Sequence, residues 1–448
     1  MTYRKIILIL IAALAIVGGS RGLSLMNQMS SLPTPASISV ALDDPVSAPG
    51  MKTTDEMIEL WQARFERDPR DFISLTFLGD ALIRKARETG DVSEYERADV
   101  TLQKALELHP DYEVAQAYLS VVKYVKHDFQ GALDLASQVY AAHPNAIQAL
   151  ATIGDAQLEQ GRYTEAQTAY EQLNAKSPSA PVYTRLARLA WLHGKTTDAL
   201  NLMQQAVSDS DETGLIGENS AWYHFQLGEL YFNTGKLEKA DEQYSAALKA
   251  FDNYYLALAG LGKIRAAQGH YEEAITFYEK AVAIIPQPDI LAALGDLYTM
   301  TNQPDKAKHE YDTVEFIGRL EAINQVIYNR QLALFYSNHG LNLNQSLDMA
   351  QKELENRKDI YAYDTYAWVL YKNKRYHEAA EMMKEAMRLD TRDAMLYYHA
   401  GMIYHTLGED QQAERMLSQA LAINSHFDLL QATIARQTLT TMYAQTKY

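Results

Sequence analysis

Side chains able to perform nucleophilic, acid–base or metal chemistry do not fall at the spacings that such chemistry requires. His399 and His405 are six residues apart, which places them on different helix faces rather than at the i, i+4 spacing of a helical metal site. The chain has no cysteine, which excludes disulfides, thiol nucleophiles and cysteine-ligated metal centres. No glycine-rich phosphate loop, nucleophile elbow or paired-carboxylate motif is present in the sequence. We therefore expect a protein that is not an enzyme and that carries no cofactor or metal.

The charge balance narrows the class of partner. The chain holds 41 Lys and Arg residues against 57 Asp and Glu residues, a formal net charge of −16. An acidic surface repels the phosphates of nucleic acids and the headgroups of an anionic membrane. The main partner is therefore expected to be neither of these.

The elements that would position any binding residue are paired short helices, clearest between Ile360 and Ser425. Apolar and small residues recur there at i, i+3, i+4, i+7 on one helix and at i, i+4, i+7 on the next. The first copy contains Tyr363, Tyr366, Ala367, Leu370, Ala379, Met383 and Ala386. The second contains Tyr397, Ala400, Gly401, Tyr404, Ala413, Leu417 and Ala420, each 34 residues later. Such a pair cannot bury both faces alone, so it must stack on its neighbours.

The same unit can be followed through most of the chain. Units begin near Phe72, Glu113, Ile147, Ala180, Ala221, Tyr255, Pro288, Ile327, Ile360 and Ala394. The twentieth position is Ala98, Ala132, Ala166, Ala199, Ala240, Ala274, Ala307, Ser346, Ala379 or Ala413. Pro110, Pro144, Pro178 and Pro286 end second helices, because proline has no N–H to continue a helix. Thr391 and Ser425 replace this proline in later units.

This pattern resembles the tetratricopeptide repeat family, whose 34-residue unit has small residues at positions 8, 20 and 27. The resemblance implies an all-α, right-handed α-solenoid of about ten helix pairs with capping helices. It also implies that positions 2, 5, 9 and 12 of each first helix face a concave groove that binds protein partners.

Large aromatic residues occupy several of these groove positions. The central cluster consists of Arg188, Trp191, Trp222, Phe225, Glu229 and Phe232, and the second cluster of Tyr361, Asp364, Trp368, Tyr371, Tyr398 and Met402. Exposed aromatic side chains bury a large area at little entropic cost and often dominate binding. We predict that both clusters contact a partner's peptide or helix. The alternative is that curvature of the solenoid lets neighbouring units cover these rings.

The amino terminus has the features of an export signal. Arg4 and Lys5 precede an apolar run over residues 6–17, followed by small residues. The run is short for a membrane span, which needs about 20 residues. Extending it to residue 26 includes Arg21, and no clear cleavage site follows. A cleaved signal peptide and a retained membrane anchor therefore stay open, and both place the array outside the cytoplasm: periplasmic, cell-surface or secreted.

The expected division of the chain is a signal peptide or anchor over residues 1–26 and a flexible linker over 27–55. An N-terminal capping helix over 56–71, the repeat array over 72–425 and a C-terminal capping helix over 426–448 follow. The sequence predicts an exported, non-catalytic adaptor that holds a protein segment in its groove. The alternative is a structural scaffold that acts through self-association of the array.

Overall fold

The computed structural model describes residues 53–214, 217–323 and 330–445, and all regular secondary structure in these ranges is helical. The predicted signal or anchor, the linker up to residue 52 and the expected unit start at Ile327 lie outside the described residues. No helix within the described ranges is long and apolar enough to cross a bilayer.

In the described residues ten helix pairs follow one another, with a single helix before the first pair and another after the last. The end helices are α1 (Thr54–Arg67) and α22 (Gln431–Gln445). The first helices of the pairs are α2 (Phe72–Thr89), α4 (Glu113–Val125), α6 (Ile147–Glu159), α8 (Ala180–Leu192), α10 (Glu218–Asn233), α12 (Tyr255–Ala267), α14 (Pro288–Met300), α16 (Arg330–His339), α18 (Ile360–Lys372) and α20 (Ala394–Thr406). The second helices are α3 (Ser93–Leu108), α5 (Phe129–Ala142), α7 (Tyr163–Lys176), α9 (Thr196–Glu212), α11 (Leu237–Ala250), α13 (Tyr271–Ile284), α15 (Pro304–Ile323), α17 (Leu343–Asn356), α19 (Tyr376–Ala386) and α21 (Asp410–Ile423). The predicted all-α solenoid of about ten pairs is confirmed.

Most first helices begin at the residue from which the sequence spacing counts the unit. The fifth unit is an exception, because α10 begins at Glu218 rather than at Ala221. The extra residues of the two long units lengthen helices: α2 has 18 residues and α9 has 17. Residues 208–212 belong to α9.

Small residues at the eighth position make room for a large side chain on the second helix of the same pair, which in several units is a tyrosine. A Cβ atom added to Gly154 would lie 2.4 Å from Tyr170, and one added to Gly228 would lie 2.6 Å from Tyr244. The alanines at the twentieth position are buried, as their spacing predicts. Ser346, the exception in that series, is also buried and hydrogen-bonds to the carbonyl oxygen of Ala333 at 2.7 Å.

The first five pairs also contact the last five, along a line that we call the seam. At the seam, the turns inside pairs 1, 3, 4 and 5 meet the segments at the ends of pairs 6, 8, 9 and 10. The crossing points are Gly90 with Ile285, Gly161 with Lys358, Gly194 with Asp390 and Gly235 with Ile423. Hydrogen bonds accompany them, including Lys358 N to Glu159 O at 3.1 Å and Ile360 N to Tyr163 Oη at 2.9 Å. The array therefore forms contacts between units that are far apart in sequence.

The turn glycines differ according to whether they lie at the seam. Gly161 and Gly194 adopt φ values of +71° and +68°, a left-handed conformation that glycine favours. An added Cβ would lie 2.2 Å from Lys358 O and 2.5 Å from Asp390 O, respectively. Gly408 has a φ of +76°, but nothing lies within 4 Å of its Cβ position. The later glycine serves only the turn, whereas the earlier two also let a second chain segment approach.

Candidate partner-binding site

Acidic residues at the ninth position of several units form ties between neighbouring pairs. Glu229 accepts hydrogen bonds from Tyr244 Oη of its own pair and from Lys263 Nζ of the next, the latter at 2.9 Å. The arrangement recurs at Asp155 with Tyr170 and Arg185, and at Asp296 with Tyr311 and His339. Burial raises the pKa of the Tyr244 phenol, and the neighbouring carboxylate raises it further. The Glu229 carboxylate, which the sequence analysis placed in the groove, is therefore already bound to Tyr244 and Lys263 of the array itself.

Five of the residues expected on an exposed wall are instead buried: Trp191, Phe232, Asp364, Trp368 and Tyr398. For these five the expectation of exposure is wrong. These side chains are covered partly by adjacent helix pairs, which was the alternative given in the sequence analysis, and partly by the contacts at the seam. Trp191 is covered at the seam. Its Nε1 donates a hydrogen bond to Tyr361 Oη at 2.9 Å, and Tyr361 lies on a helix 170 residues later in the chain. Tyr361 Oη in turn donates to Asp393 Oδ2 at 3.1 Å.

The two clusters that the sequence analysis kept separate therefore meet. Trp191 belongs to the central cluster on α8, and Tyr361 belongs to the second cluster on α18. Their hydrogen bond joins the first five pairs to the last five. Burial raises the pKa of Tyr361, with a further contribution from Asp393, so this phenol stays protonated and can donate.

The core of the second cluster is a stack around Trp368. His399 lies parallel to the Trp368 ring with a centroid separation of 4.1 Å, and Tyr371 stacks at 4.9 Å. Trp368 Nε1 donates to Asn338 Oδ1 at 2.7 Å, and Asp364 Oδ1 lies 2.8 Å from His399 Nδ1. With its polar atom paired and its ring covered, Trp368 is a core residue of the array.

Other predicted wall residues remain accessible. The Arg188 side chain is 50% exposed, and Trp222, Phe225, Tyr361, Tyr371 and Met402 are half-buried. Phe225 contacts Tyr244 and Tyr254, with ring centroids 5.9 and 6.0 Å away. We call Arg188, Trp222 and Phe225 the central wall. Its members lie on α8 and α10, the first helices of consecutive pairs.

A charged cluster anchors Arg188 and crosses the seam. Glu159 is only 2% exposed, with Arg188 Nη2 at 2.9 Å and Arg357 Nε at 2.7 Å. Arg330 binds the equally buried Glu353 and Asp359, at 2.7 and 3.2 Å. Burial alone would raise the pKa of Glu159, but Arg188, Arg357 and Arg330 outweigh it and lower the pKa. Glu159 is therefore an ionised group that holds Arg188 in place.

The seam residues were not identified from the sequence, although one signal was visible. At position 32, two early units carry Pro144 and Pro178, whereas the corresponding residues of two late units are Lys358 and Thr391. Lys358 N–H donates to Glu159 O, and Thr391 Oγ1 donates to Leu192 O. Proline offers neither a backbone nor a side-chain donor. At Lys358 and Thr391 the absence of proline therefore leaves a donor that binds across the seam. The sixth unit keeps Pro286, next to Ile285 at the crossing with Gly90, so the replacement does not mark every crossing.

The described part of the chain offers little to a metal or small molecule. No group of three or more potential ligating side chains in it is arranged to hold a metal ion. A crevice of about 440 Å³ lies on the seam between Lys195, Thr234, Arg392 and Ile423 and opens to solvent. The central wall and this crevice are two accessible features of the described residues.

Comparison with known proteins agrees with the repeat pattern. Three family models, each described as tetratricopeptide repeat, match residues 126–189, 225–287 and 395–427. The TPR repeat-containing protein YpiA of Bacillus subtilis (strain 168) is 24% identical over 355 residues, which is 78% of this chain and 72% of that protein.

Two further similarities are more limited. The human protein O-mannosyl-transferase TMTC1 is 27% identical over 220 residues, 47% of this chain and 24% of the transferase. The chain therefore spans about a quarter of that relative. A solved structure titled "Human IFIT1 dimer with PPP-AAAA" is 17% identical with a TM-score of 0.49, covering 71% of this chain and 73% of that one.

Proposed function

Since this chain is a tetratricopeptide repeat protein, we propose that it is a non-catalytic adaptor that binds an extended or helical segment of a protein partner. The binding surface in this proposal is the central wall. The adaptor acts outside the cytoplasm, with residues 6–26 as its export signal or membrane tether. That location rests on the basic and apolar pattern of the amino terminus.

The accessible aromatic pair of the central wall carries the proposal. Trp222 and Phe225 are half-buried on the first helix of one pair, where each is held by neighbouring rings. A ring already held in place loses little entropy when a partner covers its remaining surface. Arg188 adds a guanidinium whose Nη2 binds Glu159 and whose exposed face can receive a carboxylate or carbonyl of the partner.

The test is affinity capture with the full chain and its Trp222→Ala variant, from membrane and soluble fractions of the source organism. We expect the variant to lose the captured partner while its helical content and unfolding midpoint stay close to those of the parent. Trp61→Ala is the matched control, because Trp61 is also half-buried but lies on α1, away from the central wall. The control should retain the partner.

Two results would contradict the proposal. Recovery of the same proteins by Trp222→Ala would remove the central wall as the binding surface. A fall in stability of about 3–5 kcal/mol, as for truncation of a core aromatic residue, would show that Trp222 is part of the core instead.

A structural scaffold that works by self-association is the second candidate. Exposed apolar residues on and before the last helix favour it: Leu430, Ile434 and Tyr443 are 36%, 40% and 47% exposed. Such residues at the end of an array can contact a second copy. Sedimentation velocity across a wide range of protein concentrations distinguishes the two candidates. A monomer at every concentration would exclude the self-associating scaffold.

A further inference from the structure

The seam covers part of the surface that the proposed function needs. Trp191 lies on the same helix as Arg188, one turn further along, yet it is only 6% exposed. Its indole nitrogen is occupied by Tyr361, and the carbonyl oxygen of the next residue, Leu192, is occupied by Thr391. Both contacts come from the last five pairs. Without them, α8 would present an arginine followed by two large apolar side chains.

The contacts that close the seam combine apolar burial with directed hydrogen bonds. Leu192 and Tyr163 of the early pairs share one buried cluster with Ile360 of a late pair. This apolar contact favours the closed form. The directed contacts include the amide of Asn424, whose Nδ2 donates to Phe232 O at 2.8 Å. Since Thr391 and Asn424 donate through their side chains, these two hydrogen bonds can be removed by substitution. Asn424 Oδ1 also accepts from His426 N at 2.8 Å, in the segment after α21, and Asn424→Ala removes that local contact too.

We propose that the seam masks a partner-binding strip made of Arg188, Trp191 and Leu192, and that the late pairs separate from α8 before a partner occupies it. The strip fits an amphipathic segment with an apolar face and an acidic flank, because a guanidinium borders two apolar side chains. The proposal rests on the proposed function and adds a closed state in which the late pairs of the chain itself cover Trp191 and Leu192. A partner that binds only the open state then shifts the population toward that state.

The chain allows a direct measurement, because it contains no cysteine that would compete for a label. Lys195→Cys with Arg392→Cys places nitroxide labels on two exposed positions that border the same seam crevice. The control pair, Lys195→Cys with Lys236→Cys, uses exposed positions of two early pairs and does not cross the seam. Electron–electron double resonance then reports the distance distribution of each pair in the full chain.

The seam variant is Thr391→Val combined with Asn424→Ala, which leaves the Leu192 and Phe232 carbonyl groups without these donors. Loss of two hydrogen bonds, each worth roughly tenfold or less in an equilibrium constant, should raise the open fraction by about 10- to 30-fold. We expect a longer distance across the seam, an unchanged distance for the control pair and unchanged helical content. Acrylamide quenching of tryptophan fluorescence and binding of anilinonaphthalene sulfonate should both rise.

Thr406→Val is the matched control variant, because Thr406 Oγ1 donates to Met402 O within its own helix at 3.0 Å. It should leave the seam distance unchanged. The proposal is overturned if the seam distance stays short in the double variant and also after Gly194→Ala is added. It is equally overturned if the labels separate only together with a loss of helical content, because the seam is then ordinary core.

Partner capture separates this proposal from the one on which it rests. Opening the seam should increase recovery of the partner by the full chain several-fold. If the labels separate without such an increase, masking is wrong, while the central wall is still judged by Trp222→Ala. If neither the parent nor the opened chain recovers a protein, the proposed function is wrong.

Discussion

Replacing Gly161 by alanine should destabilise the array more than the same change at Gly269. Both glycines lie in the turn between the helices of a pair, with left-handed φ values of +71° and +78°. Nothing lies within 4 Å of a Cβ built at Gly269, whereas a Cβ at Gly161 would lie 2.2 Å from Lys358 O. The two variants therefore share the backbone strain and differ only in the seam contact.

The expected loss in the free energy of unfolding follows from this difference between the two sites. An alanine in the left-handed conformation costs about 1–2 kcal/mol at either site. Ordinary contact begins near 3.4 Å, so the Lys358 carbonyl must move by about 1 Å to admit the new methyl group at Gly161. That carbonyl also accepts a hydrogen bond from Arg388 Nη2 at 3.0 Å, and the preceding amide of Lys358 donates to Glu159 O. Forced backbone shifts of this kind cost about 1–3 kcal/mol beyond the shared strain.

The assay is urea unfolding of the two variants and the parent, followed by far-ultraviolet circular dichroism. Equal slopes of the free energy against urea concentration would show that the same surface unfolds in each protein. X-ray scattering on the folded proteins should show a larger radius of gyration for Gly161→Ala alone if strain is relieved by opening the seam. Free energies of unfolding that agree within about 0.5 kcal/mol would refute the conclusion that the seam is closely packed in solution.

Two further predictions concern charged groups. Glu159→Gln leaves Arg357, whose side chain is 17% exposed, without its counter-charge, and should cost about 3–5 kcal/mol in urea unfolding. Glu378→Gln, at an exposed pair with Arg375, should leave the midpoint unchanged, and equal effects would contradict a buried network. The second prediction is a dependence on pH at His339: burial would lower its pKa, but Asp296 outweighs burial and the charge of Lys372, so the folded pKa is raised. The stabilisation is then fully present below pH 6.5, the unfolded value, and is lost as the pH rises through the folded value. The free-energy difference between the parent and His339→Gln should shrink over that window, and a difference that is constant with pH would contradict the ion pair.

The helix pairs could be predicted closely because their determinants are local. Gly154 and Tyr170 are 16 residues apart in one unit, and the spacing of large and small residues alone places them in contact. The boundary of the fifth unit is less exact, because α10 begins at Glu218, three residues before Ala221, from which the spacing counts the unit. In the structure α9 continues to Glu212, because its buried face continues to Val207 and Ser210.

The candidate site was predicted less well, for a reason visible at Trp368 and Trp191. In the tetratricopeptide repeat family, the positions that Trp368 and Trp191 occupy in their units face the groove. Trp368 is covered by His399 of the next pair, and Trp191 by Tyr361, which lies several pairs away. Trp222 occupies the same kind of position and stays half-buried. A position in the repeat therefore predicts the direction of a side chain but does not predict what covers it.

The sequence by itself determined the helical period, the pairing of helices and the residues between them, because each of these depends on side chains within one or two units. Only the tertiary structure decided that the late pairs lie against the early ones, joining residues 170 to 199 positions apart. The small rotation between consecutive pairs accumulates along a solenoid, and its sum determines whether distant pairs touch. The spacing of residues within one 34-residue unit does not determine this accumulated rotation. For this reason the same aromatic position is buried in one unit and accessible in another.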